Sequence, residues 1–223
     1  MVAKRRVSSP FGDRALKTGA AGNVFRASAG RTAGLKAGRH AGLCAKNTLE
    51  KFCDLARQLG AVDAKVISPK NVFTGQWVRW KCQYGCSEYG KHLTCPPHSP
   101  TPDVTRKVLD EYQYAILLRG ERTAPLRAIG AELELRLFLA GHYKAFALLC
   151  GPCSSCGTCA IMDDYKEGEP DYKVRCRHPE KARPAMEAAG IDVFATTRAA
   201  GFPIEVISTA VCKQNYYALV LVE

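Results

Sequence analysis

No stretch of this sequence approaches the ~18 uninterrupted apolar residues that a membrane-crossing helix needs. No apolar segment follows the basic residues Lys4, Arg5 and Arg6, so a secretory leader is not expected. There is no P-loop, no dinucleotide fingerprint and no Ser/His/Asp triad, which removes common nucleotide-binding and hydrolase readings. No internal repeat is convincing. With 47% hydrophobic and 24% charged residues among 223, the composition is that of an ordinary globular protein. The length suffices for one core, or one core and a small metal-stapled portion. A cytoplasmic protein without membrane association is expected.

Positive charge is abundant, but it is confined to one end. The net charge is +11. Residues 1–46 hold ten Lys/Arg and one acid, Asp13, whereas residues 47–223 hold twenty-two Lys/Arg and twenty acids. The second part is nearly neutral, so nucleic-acid binding by the folded domain is not expected. Residues 1–46 are rich in Gly, Ala, Arg and Ser, with Leu16, Val24, Phe25, Leu35 and Leu43 scattered without period. Such a segment buries too little to offset its chain entropy and is expected to be a disordered basic extension.

The excess that matters is cysteine, eleven residues in all. A disulfide framework needs an oxidising compartment. In a reducing one, clustered cysteines bind metal. Cys82, Cys86 and Cys95 form one group; Cys150, Cys153, Cys156, Cys159 and Cys176 form a second. Cys44 lies in the extension, and Cys53 lies on an apolar helical face where a small buried residue is expected.

From Asn47 onward the pattern alternates strands and helices. Asn47 and Glu50 have capping-box spacing, and Leu49, Phe52, Cys53, Ala56 and Leu59 follow at helical period. Strands are expected over 62–68, 76–81, 114–119, 144–149, 204–208 and 216–222. Thr101-Pro102 opens one helix; Leu126, Ile129, Leu133 and Leu137 mark a longer one. Further helical segments are expected near Pro179, over Met186–Ala189, and after Asp192 as cap. This predicts a single α/β domain over residues 47–223, a mixed sheet flanked by helices, with cysteine-rich loops after strand ends.

The spacing Cys153-x2-Cys156-x2-Cys159 resembles the ferredoxin run, in which three thiolates take three irons of a cubane and a distant one takes the fourth. Cys176 is the natural fourth. Zinc is the alternative, held by knuckle-like cysteine pairs. Cys82, Cys86 and Cys95 offer three thiols; Cys150, His98, Cys212 or nothing completes that set. With nothing, an open metal position remains for a substrate. Tyr84, Tyr89, Lys91 and His92 lie between these cysteines, either contacting substrate or supporting the metal site. Arg177, His178 and Arg183 either recognise an anion or balance thiolate charge. Asp192 reads as a helix cap rather than an acid catalyst.

The motifs as a set resemble one known family. Lys81-Cys-Gln-Tyr-Gly-Cys86, Tyr89-Gly-Lys91, Cys95-Pro-Pro97 and Ser99-Pro-Thr-Pro102 are similar to the first half of the DUF2284 proteins. Gly151-Pro-Cys153, Cys156, Cys159, Cys176-Arg-His-Pro179, Ala182-Arg-Pro184, Met186-Glu187, Gly190-Ile-Asp-Val-Phe194 and Gly201-Phe-Pro-Ile204 are similar to the second. The resemblance runs from about Asn47 to the C-terminus. It implies cysteine-bound metal of iron–sulfur type, in anaerobic prokaryotes, on Cys82, Cys86, Cys95, Cys153, Cys156, Cys159 and Cys176. Cys44, Cys53, Cys150 and Cys212 fall outside the pattern. The expected protein therefore carries one or two [4Fe-4S] clusters and has a redox or electron-transfer role. The alternatives are an enzyme using an open-site cluster and a zinc-stabilised interaction module. Its partner is a redox protein or a small molecule.

Overall fold

The structure, a computed structural model, describes residues 38–163, 176–208 and 214–223. In chain order the elements are α1 (Gly38–Gln58), β1 (Asp63–Ile67), α2 (Gln76–Gly85), α3 (Pro102–Leu109), β2 (Tyr114–Gly120), α4 (Thr123–Leu139), β3 (Phe146–Leu148), α5 (Ala160–Asp163), α6 (Val193–Ala199) and β4 (Tyr216–Val222). Two 3-10 turns, Pro69–Asn71 and Glu187–Ala189, complete the set. No helix among the described residues is long and apolar enough to cross a membrane.

The α/β class expected from the sequence is what the chain adopts, as one compact unit from Ala37 to Glu223. The strands lie in the order β1-β2-β4-β3. Each pairing is antiparallel, so neighbouring strands alternate in direction and the sheet is wholly antiparallel rather than mixed. The two most apolar strands, Tyr-Ala-Ile-Leu-Leu-Arg-Gly and Tyr-Tyr-Ala-Leu-Val-Leu-Val, sit together in the centre. Central strands are covered on both faces, which is why these runs scarcely alternate in hydrophobicity.

Alternate residues of these strands supply two cores. Ile116, Leu118, Ala218, Val220 and Val222 face α1 and α4, packing against Leu49, Cys53, Ala56, Leu126, Ile129, Leu133 and Leu137. Ala115, Leu117, Tyr217, Leu219 and Leu221 face the other way, toward Leu109, Met186, Ala189, Ile191 and Phe202. Each fully buried Leu or Ile contributes roughly 1.5–3 kcal/mol. Cys53 is buried in the first core as expected, and burial pushes its thiol up to about 12. Gly130 lets α4 approach the sheet, since a Cβ there would lie 2.5 Å from Leu149.

Several local expectations give way to tertiary context. α1 begins at Gly38 and runs through Asn47, so Asn47 is not its cap; the Ala-bearing stretch before it supports helix without needing large apolar residues. Residues 1–37, which include most of the expected basic extension, lie outside the described residues. The segment read as a strand at 76–81 is the helix α2. Val78 is buried there, while Trp77 and Trp80 are exposed. The aromatic and β-branched residues suggested a strand, but Arg79, Cys82 and Cys86 recur at helical spacing on one face. Residues 204–208 have no regular structure, and Val206 is 75% exposed with no partner strand. The expected helix near Pro179 is a turn: Pro179 and Pro184 lack N–H donors and break the ladder between them. The Met186–Ala189 expectation reduces to the 3-10 turn. Thr101 and Asp192 cap α3 and α6 as expected, accepting from the N–H groups of Val104 and Ala195.

The segment from Pro184 to Asp192 is the seam of the second face. Leu149 N–H donates to Pro184 O at 2.7 Å and Met186 N–H donates to Leu149 O at 2.8 Å. Gly75 N–H donates to Gly190 O and Asp192 N–H to Phe73 O. Thr105 Oγ1 donates to Ala189 O at 2.7 Å. Gly190 turns the chain at φ +79°, and a Cβ there would lie 2.4 Å from Pro102 Cγ and 3.0 Å from its Cα. Both the left-handed backbone and the contact oppose any side chain. Gly190→Ala should therefore lower stability by about 3 kcal/mol, read as a reduced denaturant midpoint of the metal-free chain; an unchanged midpoint would show the seam to be pliable.

Candidate metal centre

The second cysteine run leaves the sheet at the end of β3. Leu149 forms an isolated parallel bridge with Ala185, and Gly151 reverses the chain at φ +65°. The backbone then coils through Cys153, Cys156 and Cys159 to α5, where Met162 N–H donates to Cys159 O. Cys176 returns beside this coil. Its neighbour Arg177 donates to Thr158 O at 3.1 Å and pairs with Asp163 at 3.0 Å. That guanidinium therefore fastens the Cys176 segment onto the Cys156–Cys159 loop. Cys153, Cys156, Cys159 and Cys176 line one pocket, together with Ser155 and Ala182. The same pocket is lined by His92, Leu93 and Thr94, which belong to the loop between Cys86 and Cys95.

The first group is carried by α2 and the loop after it. Cys82 lies in the last turn of α2, and Cys86 is its C-cap, donating its N–H to Cys82 O. The loop then folds on itself: Gly90 N–H donates to Pro96 O, Cys95 N–H to His92 O, and Ser99 N–H to Cys95 O. The Pro96–Pro97 peptide is cis. Cys95 is buried, Cys82 half-buried and Cys86 exposed. The three thiols lie close enough to feel one another's charge. Burial first, then the neighbouring Cys86 and Cys82, push Cys95 up to about 11. Cys82 is also raised, by burial first, then by Cys86 and Glu187, with Arg79 opposing. Such mutual repulsion favours neutral thiols and gives a bound cation a strong electrostatic role.

Arg79 and Ser99 fix this group to the seam. Arg79 Nη1 donates to Ser99 Oγ at 2.8 Å and to Ala188 O at 3.1 Å; Ser99 Oγ donates to Ala188 O at 2.6 Å. Glu187, the residue before, is exposed to solvent, yet the protein crowding its carboxyl raises the pKa. His92 bonds Glu88 at 2.9 Å, and that hydrogen bond holds the Glu88 carboxyl below its usual range.

Cys150 stands apart. It is buried in the α1–α4 core, and its thiol donates to Thr123 O at 3.6 Å. It does not line the pocket of the four neighbouring cysteines. Burial pushes its thiol up to about 11, against the influence of Arg127. Arg127 is itself buried and donates to the carbonyls of Cys150, Gly151 and Arg183. Arg183 makes a bidentate pair with Glu134, with Nη2–Oε1 at 2.6 Å and Nε–Oε2 at 2.9 Å, and Glu134 accepts from Ala147 N–H. Arg177 and Arg183 thus brace the cysteine loop. His178 lies 3.6 Å from Glu180, and His98 is exposed. Cys44 falls within α1, and Cys212 lies outside the described residues.

Sequence reasoning did not find that His92–Thr94 closes the second site, nor the parts played by Arg127 and Glu187. Arg127 carries no signal in an amphipathic helix. Glu187 stood inside a quoted motif, but a carboxylate near a helical stretch reads as solvated. Tyr84, Tyr89 and Lys91 do not line the pocket.

All these donors are soft thiols, the set preferred by zinc, copper(I) and iron–sulfur clusters. The placement of Cys150 has a direct consequence for reactivity. Its raised pKa keeps it protonated in the fold until pH approaches about 11, and the thiolate is the reacting form. In metal-free protein, alkylation followed by peptide mass spectrometry should label Cys86 and the pocket cysteines, which reach solvent, and leave Cys150 unlabelled until the chain unfolds. Comparable labelling of Cys150 would contradict its place in the core.

No curated protein and no solved structure matches the chain. A family profile described as "Predicted metal-binding protein (DUF2284)" matches residues 65–222. That span contains both cysteine groups and most of the sheet, and the chain belongs to this family of predicted metal-binding proteins.

Proposed function

We propose that the protein is an iron–sulfur redox protein in which Cys153, Cys156, Cys159 and Cys176 hold a [4Fe-4S] cluster and Cys82, Cys86 and Cys95 hold a second metal group beside it. The observation that carries this reading is the shared wall: four thiols surround one pocket that the loop of the other cysteine group closes through His92, Leu93 and Thr94. Two metal groups divided by so little chain suit transfer of electrons from one to the other or onward to a partner protein.

The spacing of the donors supports a cluster over a lone ion. A tetrahedral zinc about 2.3 Å from each sulfur would draw its thiolates to within roughly 4 Å of one another. Among the described residues, no three His, Cys, Asp or Glu side chains converge closely enough to share one ion. The ferredoxin-like spacing of Cys153, Cys156 and Cys159, with Cys176 lining the same pocket, is the pattern a four-iron cage uses. When bound, such a cluster supplies one-electron chemistry, with a potential set by hydrogen bonds, charge and solvent access. The chain's own residues govern those settings. Arg127 places a buried positive charge behind the Cys150–Gly151 turn. Arg177 holds Cys176 against the coil, and Leu93 and Ala182 limit water at the rim.

A second reading, an enzyme with an open metal position, is favoured by one observation. Cys150, a candidate to complete the first group, has its thiol turned to Thr123 in the core. The zinc-stabilised interaction module has no such support. A cytoplasmic setting, reducing enough to keep the thiols free, accompanies the iron–sulfur proposal.

Iron, acid-labile sulfide and zinc measured on anaerobically purified protein test the reading. About four iron and four sulfide per chain are expected for each cube, and Cys156→Ser should remove one such set while leaving the fold intact by circular dichroism. A colourless protein with stoichiometric zinc would overturn it.

A further inference from the structure

The helix α2 turns its largest apolar side chains outward. Val78 is buried and Cys82 half-buried, while Trp77, Trp80 and Tyr84 are 49%, 67% and 79% exposed. Positions 77, 80, 81 and 84 are three or four apart and share one side of the helix; 78 and 82 share the opposite side. One side thus packs on the fold and carries the first cysteine group, and the other faces solvent. Both tryptophans of the chain stand on that outer side. The Trp77 indole lies over Gly75, where a Cβ would come within 2.9 Å of the ring. Gly75 therefore lets the ring rest on the backbone in a fixed place. Large aromatic rings grouped at the surface mark a contact face. Cys86, whose thiol is exposed, caps the same helix two residues after Tyr84, so the aromatic face ends at the first cysteine group.

We propose that this outer face of α2, Trp77, Trp80, Lys81 and Tyr84, is the docking surface for an acidic one-electron carrier protein that exchanges electrons with the Cys82, Cys86 and Cys95 site. The proposal rests on the iron–sulfur reading above and gives it a partner. Charge selects the occupant. Residues 64–87 hold Lys65, Lys70, Arg79 and Lys81 and no acid, although the domain as a whole is nearly neutral. Lys81 is exposed beside the rings, and Lys70 and Lys91 are exposed as well. Two acids of the neighbouring segments, Glu88 and Asp103, are bonded to His92 and Gln76. A second copy of this chain would set positive charge against positive charge; an acidic partner is steered in by it. Size agrees. The three rings expose on the order of 400 Å², too little for a permanent dimer and suited to redox encounters, which bury below about 1,200 Å² in total. In the exchange one electron passes from the reduced carrier to the oxidised cluster, or back, and no bond forms or breaks.

The test uses the full chain reconstituted anaerobically with iron and sulfide, and a reduced acidic [2Fe-2S] ferredoxin as probe. Electron transfer is followed by stopped-flow absorbance as a second-order rate. Residues 1–46 carry positive charge that attracts any acidic protein, so the deciding comparison is among variants of α2, which share that segment. Trp80→Ala with Tyr84→Ala, and separately Lys81→Glu, should each slow transfer at least tenfold. Iron content, circular dichroism and reduction by dithionite should match the native protein, since these side chains are exposed. Equal rates in native and variant proteins, or no transfer to clusters that dithionite reduces, would overturn the proposal. Tryptophan emission reports the same face, because both tryptophans lie on it. Vesicles containing phosphatidylserine should leave the emission of the native chain unshifted; a blue shift lost in Trp80→Ala would assign the face to a lipid surface and overturn the carrier. A chain that takes up no iron or sulfide would overturn the functional reading itself, whereas reducible clusters with rates indifferent to α2 would overturn the docking face alone.

Discussion

The backbone hydrogen bonds of the Pro184–Asp192 seam are the constraint on which the site depends. Through Pro184 and Met186 the seam continues the edge of the sheet at Leu149. Through Ala188 it receives Arg79 and Ser99, and through Gly190 and Asp192 it pairs with the chain entering α2. Two cysteine groups far apart in sequence are thereby fixed against one another before any metal binds. A buried polar group without a partner costs about 1–3 kcal/mol. The buried seam carbonyls at Ala188 and Ala189 meet their side-chain donors, so alternative placements of α2 and α3 are disfavoured by unpaired polar atoms.

The cysteines themselves are under tension that metal would relieve. Burial raises Cys95 and Cys150 to about 11 and Cys53 to about 12, but the three do not share a role. Cys53 and Cys150 belong to the α1–α4 core, where a neutral thiol is a small apolar residue. Cys95 faces two other thiols, and there the cost of ionisation is recoverable by a cation. The distinction lies in the neighbours, not in the cysteine. It also explains why the densest run of cysteines contains one member that turns inward.

The fold class and the central strands were legible because long apolar runs such as 114–119 and 216–222 have few alternatives to a doubly covered strand. The caps at Thr101 and Asp192 were legible because their chemistry is local. Residues 76–81 misled because Trp-Val-Arg-Trp carries strand-forming residues, whereas its helix is decided by contacts of Arg79 with Ser99 and Ala188, twenty and more than a hundred positions away. Residues 204–208 alternate as a strand would but adopt no regular structure. In the site, the two cysteine groups could be read from spacing. The wall formed by His92–Thr94, the inward turn of Cys150 and the position of Glu187 could not, since each depends on how separate loops meet.

Adjacency of two iron–sulfur groups is the central claim, and magnetic coupling between them is its most direct measure. Paramagnetic resonance of the fully reduced, anaerobically reconstituted chain should show spin–spin broadening that collapses to a single simple signal in Cys156→Ser and, separately, in Cys95→Ser. Two sharp, independent signals in the native protein, or no iron-dependent signal at all, would contradict the account.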